Sequence, residues 1–366
     1  MNPTSLHPFD PARNSTTRPT ERMLAMHRQP IPARSDLACR QPRNRATVCL
    51  SGRVDMKNLG AEPLFIAALF LGTCLALPAF ADNIFVSTAS LNTVLELDPS
   101  GNPSTFATTT SGLDYPLGLA FDSSGNLFVA NGGANTIEEF HTNGQTSFLS
   151  SPSLNEPDGL AFDANGDLFV ANYGNNTVEE FSPGGTGTVF ATATDGLDEP
   201  EGLAFDGDGN LFVSNQGGGN GTIMEISPNG SNSVFATTAS GLDNPQGLVF
   251  DRSGTLYVAN YSNNTIEKFN ALGQGMIFTG TNLLAEPYGL GLDGSGNLFV
   301  ANHGLGEILE FSQNGDGSIF AGNLGNAIFL AVDQIPEPSA FSLLLLSLAV
   351  VALSRLSSRR QPHRHP

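Results

Sequence analysis

The chain has 366 residues, with 35 Asp and Glu against 16 Lys and Arg, 41 glycines and no tryptophan. A formal charge of -19 argues against a nucleic-acid or anionic-surface binder, because a field of that sign repels either polyanion. The three cysteines, Cys39, Cys49 and Cys74, all lie early in the chain, which leaves the long remainder without disulfide or thiol chemistry.

Residues 1–55 carry nine Arg, no Lys and many Pro, with no periodic apolar pattern, so they cannot build a core. They are expected to be either a disordered basic leader or an upstream extension that is not translated, the start then being Met56. Residues 56–81 begin Met56-Lys57, continue through an apolar run from Pro63 to Leu77, and end Leu77-Pro-Ala-Phe-Ala81. Small residues stand at the two positions an export peptidase reads. This predicts a secretory signal peptide, cut by signal peptidase between Ala81 and Asp82. Cys74 offers a lipoprotein alternative, against which stand Thr73 and the apolar residues that follow.

From Asp82 onward one sentence recurs. Its clearest copy is Pro116-Leu-Gly-Leu-Ala-Phe-Asp-Ser-Ser-Gly-Asn-Leu-Phe-Val-Ala-Asn131, with cognates opening at Pro157, Pro200, Pro245 and Pro287. The glycines of Pro-x-Gly, at 118, 159, 202, 247 and 289, are 41, 43, 45 and 42 residues apart. That is the length of one four-stranded propeller blade. Each unit divides into four short runs of strand-forming residues separated by Gly, Asn, Asp and Pro, and none shows a helical apolar period. In one unit the predicted strands are 159–163, 168–172, 177–181 and 188–191, and the Asp-x-x-Gly turn puts glycine where a hairpin needs positive φ.

The array starts and stops in mid-repeat. The second-strand motif occurs six times from Asn83-Ile-Phe-Val86 onward, and the first-strand aspartate six times, ending with a worn copy at Leu330-Ala-Val-Asp333. The two broken ends can therefore pair into one blade. The predicted fold class is all-β, a six-bladed β-propeller over 82–334, closed by its N- and C-terminal strands so that sheet edges are shielded. The unit Pro-x-Gly-Leu-Ala-Phe-Asp-x-x-Gly-Asn-Leu-Phe-Val-Ala-Asn resembles the NHL repeat, although Val-Ala-Asn stands where that family commonly has Val-Ala-Asp. Thr likewise stands where it often has Arg before the third strand.

Residues 335–366 contain Pro336, Glu337 and Pro338, an apolar stretch from Ala340 to Leu353, and four Arg after it. The stretch predicts a marginal membrane helix with its basic tail on the cytoplasmic side. The order resembles a PEP-CTERM sorting signal, which in that family is cut by an exosortase in Gram-negative bacteria that make exopolysaccharide; a plain membrane anchor is the alternative. The expected course is export, transient insertion through this helix, and release to the cell envelope or extracellular matrix. Both trimmed ends are basic, and between Asp82 and Ile335 there are 29 acidic residues against Arg252 and Lys268, about -27. No nucleic-acid partner is expected.

A propeller site is sought where the copies differ. The residue inside Pro-x-Gly should overhang the central channel, and it varies: Leu117, Asp158, Glu201, Gln246 and Tyr288. Asp158 and Glu201, with Asn172 or Asn215, form a candidate oxygen-ligand set for a divalent cation, calcium being the best match. Resemblance to gluconolactonase-type propellers, which hold a channel metal at such positions, implies the same for Pro157-Asp-Gly159, but no early Glu ligand matches. The plainer alternative is that these carboxylates are solvated loop charges. The repeated asparagines read as loop caps, with a sugar-binding role beside Tyr173, Tyr261 and Tyr288 as an alternative. His303 beside Glu286 is the one pair resembling a channel histidine of the lyase relatives. The leading expectation is a binding or scaffold module for a protein or polysaccharide, with no required cofactor; a metal-dependent hydrolase or lactonase is the alternative.

Overall fold

A computed structural model describes residues 82–217, 221–279 and 282–333. Within them the chain forms six four-stranded antiparallel sheets. The expected leader, the signal peptide as far as Ala81, and the sorting signal at Pro336, Glu337 and Pro338 lie outside the described residues. Among the described residues no helix is long and apolar enough to cross a membrane.

Blade 3 is representative. Its strands are Pro157–Phe162, Leu168–Asn172, Thr177–Phe181 and Gly187–Ala191, within two residues of the predicted limits. The turn after the first strand has Gly166 at φ 87°, the left-handed value for which glycine was expected. Asp163 completes that turn by accepting the backbone N–H of Asn165 and Asp167 at 2.8 and 2.9 Å. The same arrangement recurs at Asp122, Asp206, Asp251 and Asp293. A hairpin therefore accounts for every copy of this motif.

Closure occurs in blade 1, where the last strand, Ala327–Asp333, pairs antiparallel with the first, Asn83–Thr88. Asn83 lies opposite Asp333 and Val86 opposite Leu330. Strands Thr93–Leu97 and Pro103–Ala107 complete that sheet. Joining the first and last described strands closes the ring at this blade.

The first strands of successive blades contact one another around the whole ring, so they line the axis. Blades are cemented by apolar clusters that each draw on two neighbours: Phe169, Ala171 and Val178 of blade 3 pack with Leu203, Leu211 and Val213 of blade 4. Edge-on phenylalanine pairs mark four seams, Phe85 with Phe121, Phe128 with Phe162, Phe169 with Phe205 and Phe212 with Phe250, at centroid distances of 4.9 to 5.2 Å. Each such pair contributes about 0.5–1.5 kcal/mol beyond its buried area.

Candidate functional site

The Pro-x-Gly segment is the rim of each inner strand. Its pairing with the second strand shifts register between Pro157 and Leu160 in blade 3, and at the equivalent place in blades 2, 4, 5 and 6. A bulge at that point re-aims the middle side chain. The glycine is required by proximity. A Cβ on Gly118, Gly159, Gly202 or Gly247 would run into the carbonyl oxygen of the variable residue one blade onward, Asp158, Glu201, Gln246 and Tyr288 respectively. The inner strands thus pack backbone against backbone, which sets the variable residues in a ring of fixed order.

The residue before each proline is strained. Tyr115, Glu156, Glu199, Asn244 and Glu286 have φ between 49° and 57°, a costly region for a residue with a side chain. Four of the five are held by the preceding blade. Asn92, Asn135, Asn176 and Asn264 accept their backbone N–H groups at 2.7, 2.6, 2.8 and 2.6 Å. The rim is therefore a locked frame, and the side chain that follows it is positioned rather than free.

A cavity of about 470 Å³ opens at this rim, and Leu117, Asp158, Glu201 and Tyr288 face it. Tyr115, Glu156, Tyr173 and His303 line its wall from neighbouring loops. Gln246 belongs to the ring but does not line the cavity; it is fully buried, and its amide donates to Asn244 Oδ1 at 2.9 Å. The sixth member is Ile328, in the closing strand. Sequence reading missed it because Ala327 and Phe329 occupy the proline and glycine places. Below the rim the channel narrows to a waist that includes Leu119, Leu160, Leu203, Leu248, Leu290 and Leu330.

Asp158 and Glu201 are 5% and 3% exposed, which rules out the reading of these two as solvated loop charges. Tyr288 donates its hydroxyl to Glu201 Oε2 at 2.7 Å, reaching across the ring from blade 6 to blade 4. Asp158 Oδ1 is buried with no hydrogen-bond partner. Burial pushes the Asp158 carboxyl up to about 7. Glu201 is also raised well above the usual carboxylate range, by burial and then by the Asp158 charge, although the Tyr288 hydrogen bond opposes this. Two carboxyls so placed favour sharing protons over a double negative charge. Burial and both carboxylates raise Tyr288 in turn, so its phenol stays a donor.

The structure does not bring Asn172 and Asn215 to this pair. Their Oδ1 atoms accept the backbone N–H of Asn155 and Asp198, each at 3.1 Å, and their amides bond Thr177 and Thr222 hydroxyls. The other copies, Asn131, Asn260 and Asn302, do the same to Asp114, Asp243 and Ala285. These asparagines are loop caps, with their oxygens committed to the fold. Among the described residues no group of three His, Cys, Asp or Glu side chains could hold a metal ion. Of the expected cation set, Asp158 and Glu201 meet in the cavity, and Asn172 and Asn215 do not join them.

His303 Nδ1 lies 3.3 Å from Glu286 Oε2, as their loops suggested. The His303 ring stands about 6.2 Å from both Tyr261 and Tyr288. His141, by contrast, is among the hairpins of the opposite face, beside Gly125 and Thr142. That face also carries Arg252 and Lys268, around a larger hollow of about 910 Å³ between blades 5 and 6. Among the described residues no basic side chain other than His303 borders the channel mouth.

Three further acids escaped notice because they repeat. Glu138, Glu179 and Glu267 occupy the middle of the third strand in blades 2, 3 and 5, where blades 1, 4 and 6 have Leu95, Met224 and Leu309. Burial raises all three. Neither oxygen of Glu179 has a well-formed hydrogen bond, although Ser151 and Asn172 lie close enough to favour its ionised form. They sit within the blades, away from the channel mouth.

The NHL repeat pattern matches residues 154–181 and 242–269, which fall on blades 3 and 5. No curated protein matches the chain at a significant level. Several solved structures share its architecture. A chain of a nidogen/laminin complex is 19% identical, with 69% of this chain and 99% of that one covered at a TM-score of 0.61. A gluconolactonase from Xanthomonas campestris, described as important in glucose secondary metabolic pathways, is 21% identical over 60% of this chain and 79% of its own, TM-score 0.52. Regucalcin from Agrobacterium tumefaciens, a calcium-binding protein, is 18% identical over 58% and 76%, TM-score 0.50. At such identities the likeness is one of fold. The chain is a six-bladed β-propeller of four-stranded antiparallel blades that carries NHL repeats.

Proposed function

We propose that this chain is an exported binding or scaffold module of the cell envelope or extracellular polysaccharide matrix, and that its ligand seats in the channel mouth. The observation that carries this is Asp158 Oδ1, a buried acceptor without a partner at the wall of an open cavity. An unpaired buried acceptor costs about 1–3 kcal/mol. Gln246 Oε1, Glu179 and Glu267 also hold unpaired buried oxygens, but of these residues only Asp158 borders the open cavity, where a ligand can supply the missing donor. Export and sorting rest on the sequence: the segment ending at Ala81 for signal peptidase, and Pro336-Glu-Pro338 with its apolar stretch for an exosortase-type enzyme.

Retention on matrix polysaccharide is the test. Purified 82–334 should bind, and Asp158→Asn, Glu201→Gln and Tyr173→Leu should each weaken binding. Undiminished binding in all three would remove the channel mouth from the account.

The second reading, a metal-dependent hydrolase or lactonase, is favoured by the meeting of Asp158 and Glu201 in one cavity, and by similarity in fold to a gluconolactonase and a calcium-binding protein. The committed oxygens of Asn172 and Asn215 weigh against it. Titration with calcium decides between the two. Tight binding abolished by Asp158→Asn supports the enzyme, and no saturable binding supports the module.

A further inference from the structure

We propose that the channel mouth is a site for a primary ammonium group carried on a small organic ligand, held by Asp158 and Glu201 and enclosed by the tyrosine rings around them. This rests on the reading of the channel mouth as a ligand site, and goes further by naming the chemistry that fits it.

The first argument is hydrogen bonding. Asp158 Oδ1 can only accept while ionised, so its missing partner is an N–H or O–H donor. Glu201 already receives one hydroxyl, from Tyr288, and an ammonium with three donors can bridge both carboxylates.

The second argument is charge. Glu156, Asp158 and Glu201 all line the cavity, and the field of Glu199 also reaches Glu201. Arg252 and Lys268 lie on the opposite face, so among the described residues no Arg or Lys neutralises this cluster. A donor that brings its own positive charge gains more here than a neutral hydroxyl, since charge-assisted hydrogen bonds are about twice as strong.

The third argument separates an organic cation from a metal ion. Hard ions favour a shell of oxygens, whereas beside Glu156, Asp158, Glu201, Tyr288 and His303 the walls include Tyr115, Tyr173, Leu117 and Ile328, and the asparagine oxygens of Asn172 and Asn215 are committed to loop caps. Aromatic rings attract an ammonium through their π faces, while the aliphatic residues suit its carbon frame. A cavity of about 470 Å³ also has room for the carrier as well as the charged group.

Calorimetric titration of the purified propeller tests this with glucosamine and 1,5-diaminopentane, each against its N-acetylated counterpart, at about pH 8 where Asp158 is ionised. At least one amine should bind about tenfold or more tightly than its acetylated form. Asp158→Asn should remove that preference. Tyr173→Leu should weaken amine binding several-fold while Tyr173→Phe retains it, which keeps the test valid should Asp158→Asn misfold. Preference for glucosamine points to a sugar carrier and preference for the diamine to an alkyl one; both support the site. Equal binding of amine and acetylated probe, or amine binding unchanged in both Asp158→Asn and Tyr173→Leu, overturns it. If no amine binds yet these variants still lose matrix retention, the ammonium reading alone fails. If retention is also unaffected by them, the channel mouth fails with it.

Discussion

On the hairpin face, Asp122, Asp163, Asp206, Asp251 and Asp293 each receive backbone N–H groups within their own turns, whereas at the channel mouth Asp158 Oδ1 is buried and receives none. Asp158 and Asp163 belong to the same repeat, five residues apart, one near the start of the inner strand Pro157–Phe162 and the other in the turn that follows it. The difference is one of role. A carboxylate that closes a turn is a local part, used again in five blades; buried carboxylates such as Asp158 and Glu201, at a position that other blades fill with Leu117, Gln246 or Tyr288, cost stability and are tolerated because the ring around them over-determines their position. Electrostatics separates them too. Asp98, in a hairpin of blade 1, is lowered by the Asn102 side chain and then its N–H. Asp251 is pushed up by burial, which hydrogen bonds from Ser253 and Thr255 outweigh, so it ends lowered. Asp158 and Glu201 go the other way.

The largest expected effect concerns the frame both faces depend on. Gly159→Val places a branched side chain against the Glu201 carbonyl and should cost more than about 4 kcal/mol, seen as loss of a cooperative thermal transition. A milder loss with the ring intact would mean that the inner strands are less tightly apposed than their backbones imply. Next, Asp158→Leu, which copies Leu117 of blade 2, should stabilise the protein by about 1–3 kcal/mol at neutral pH because it removes a buried charge. Asp163→Ala on the hairpin face should destabilise by about 1–2 kcal/mol, having lost two backbone bonds. Denaturant midpoints of the two variants read the comparison directly, and movement in the same direction would break it.

The pH dependence should also divide by face. Asp158 and Glu201 have raised folded values, so the stability they add is fully present below the unfolded carboxylate range, near 4, and is lost as pH rises through about 7 for Asp158. Asp98 and Asp251 have lowered values, so their contribution is present above about 4 and is lost as pH falls further. Unfolding free energies between about pH 3 and pH 8 should therefore decline at both ends, and Asp158→Leu with Glu201→Gln should flatten the upper limb only. The smallest expected gain is Glu179→Leu, matching Leu95 and Leu309, at about 1 kcal/mol. It should leave ligand retention unchanged, since Glu179 sits inside blade 3.

The frame was legible in the sequence because its parts repeat. Proline, glycine, the turn aspartate and the capping asparagine each recur with one physical task, and five copies reveal the task even when single copies are ambiguous. Closure could be read from the broken copies at Asn83 and Asp333. The ring of variable residues was legible as a set of positions, but not as a site, because burial and pairing across the channel depend on which neighbours fill the ring. Tyr288 reaching Glu201 past a withdrawn Gln246 involves three blades, and no spacing encodes it. Ile328 was hidden for the reverse reason, as its repeat had lost the landmarks that would number it. The asparagines were legible in type alone: an oxygen that can ligate a cation and one that can cap a loop look identical until their partners are known.

One variant tests the central claim that Asp158 is kept at a cost to stability for a ligand's sake. Asp158→Asn should raise the thermal midpoint at about pH 8 and, in the same preparation, weaken retention on matrix polysaccharide. A lower midpoint with retention intact would contradict the account, because Asp158 would then be a structural carboxylate like its counterparts on the hairpin face.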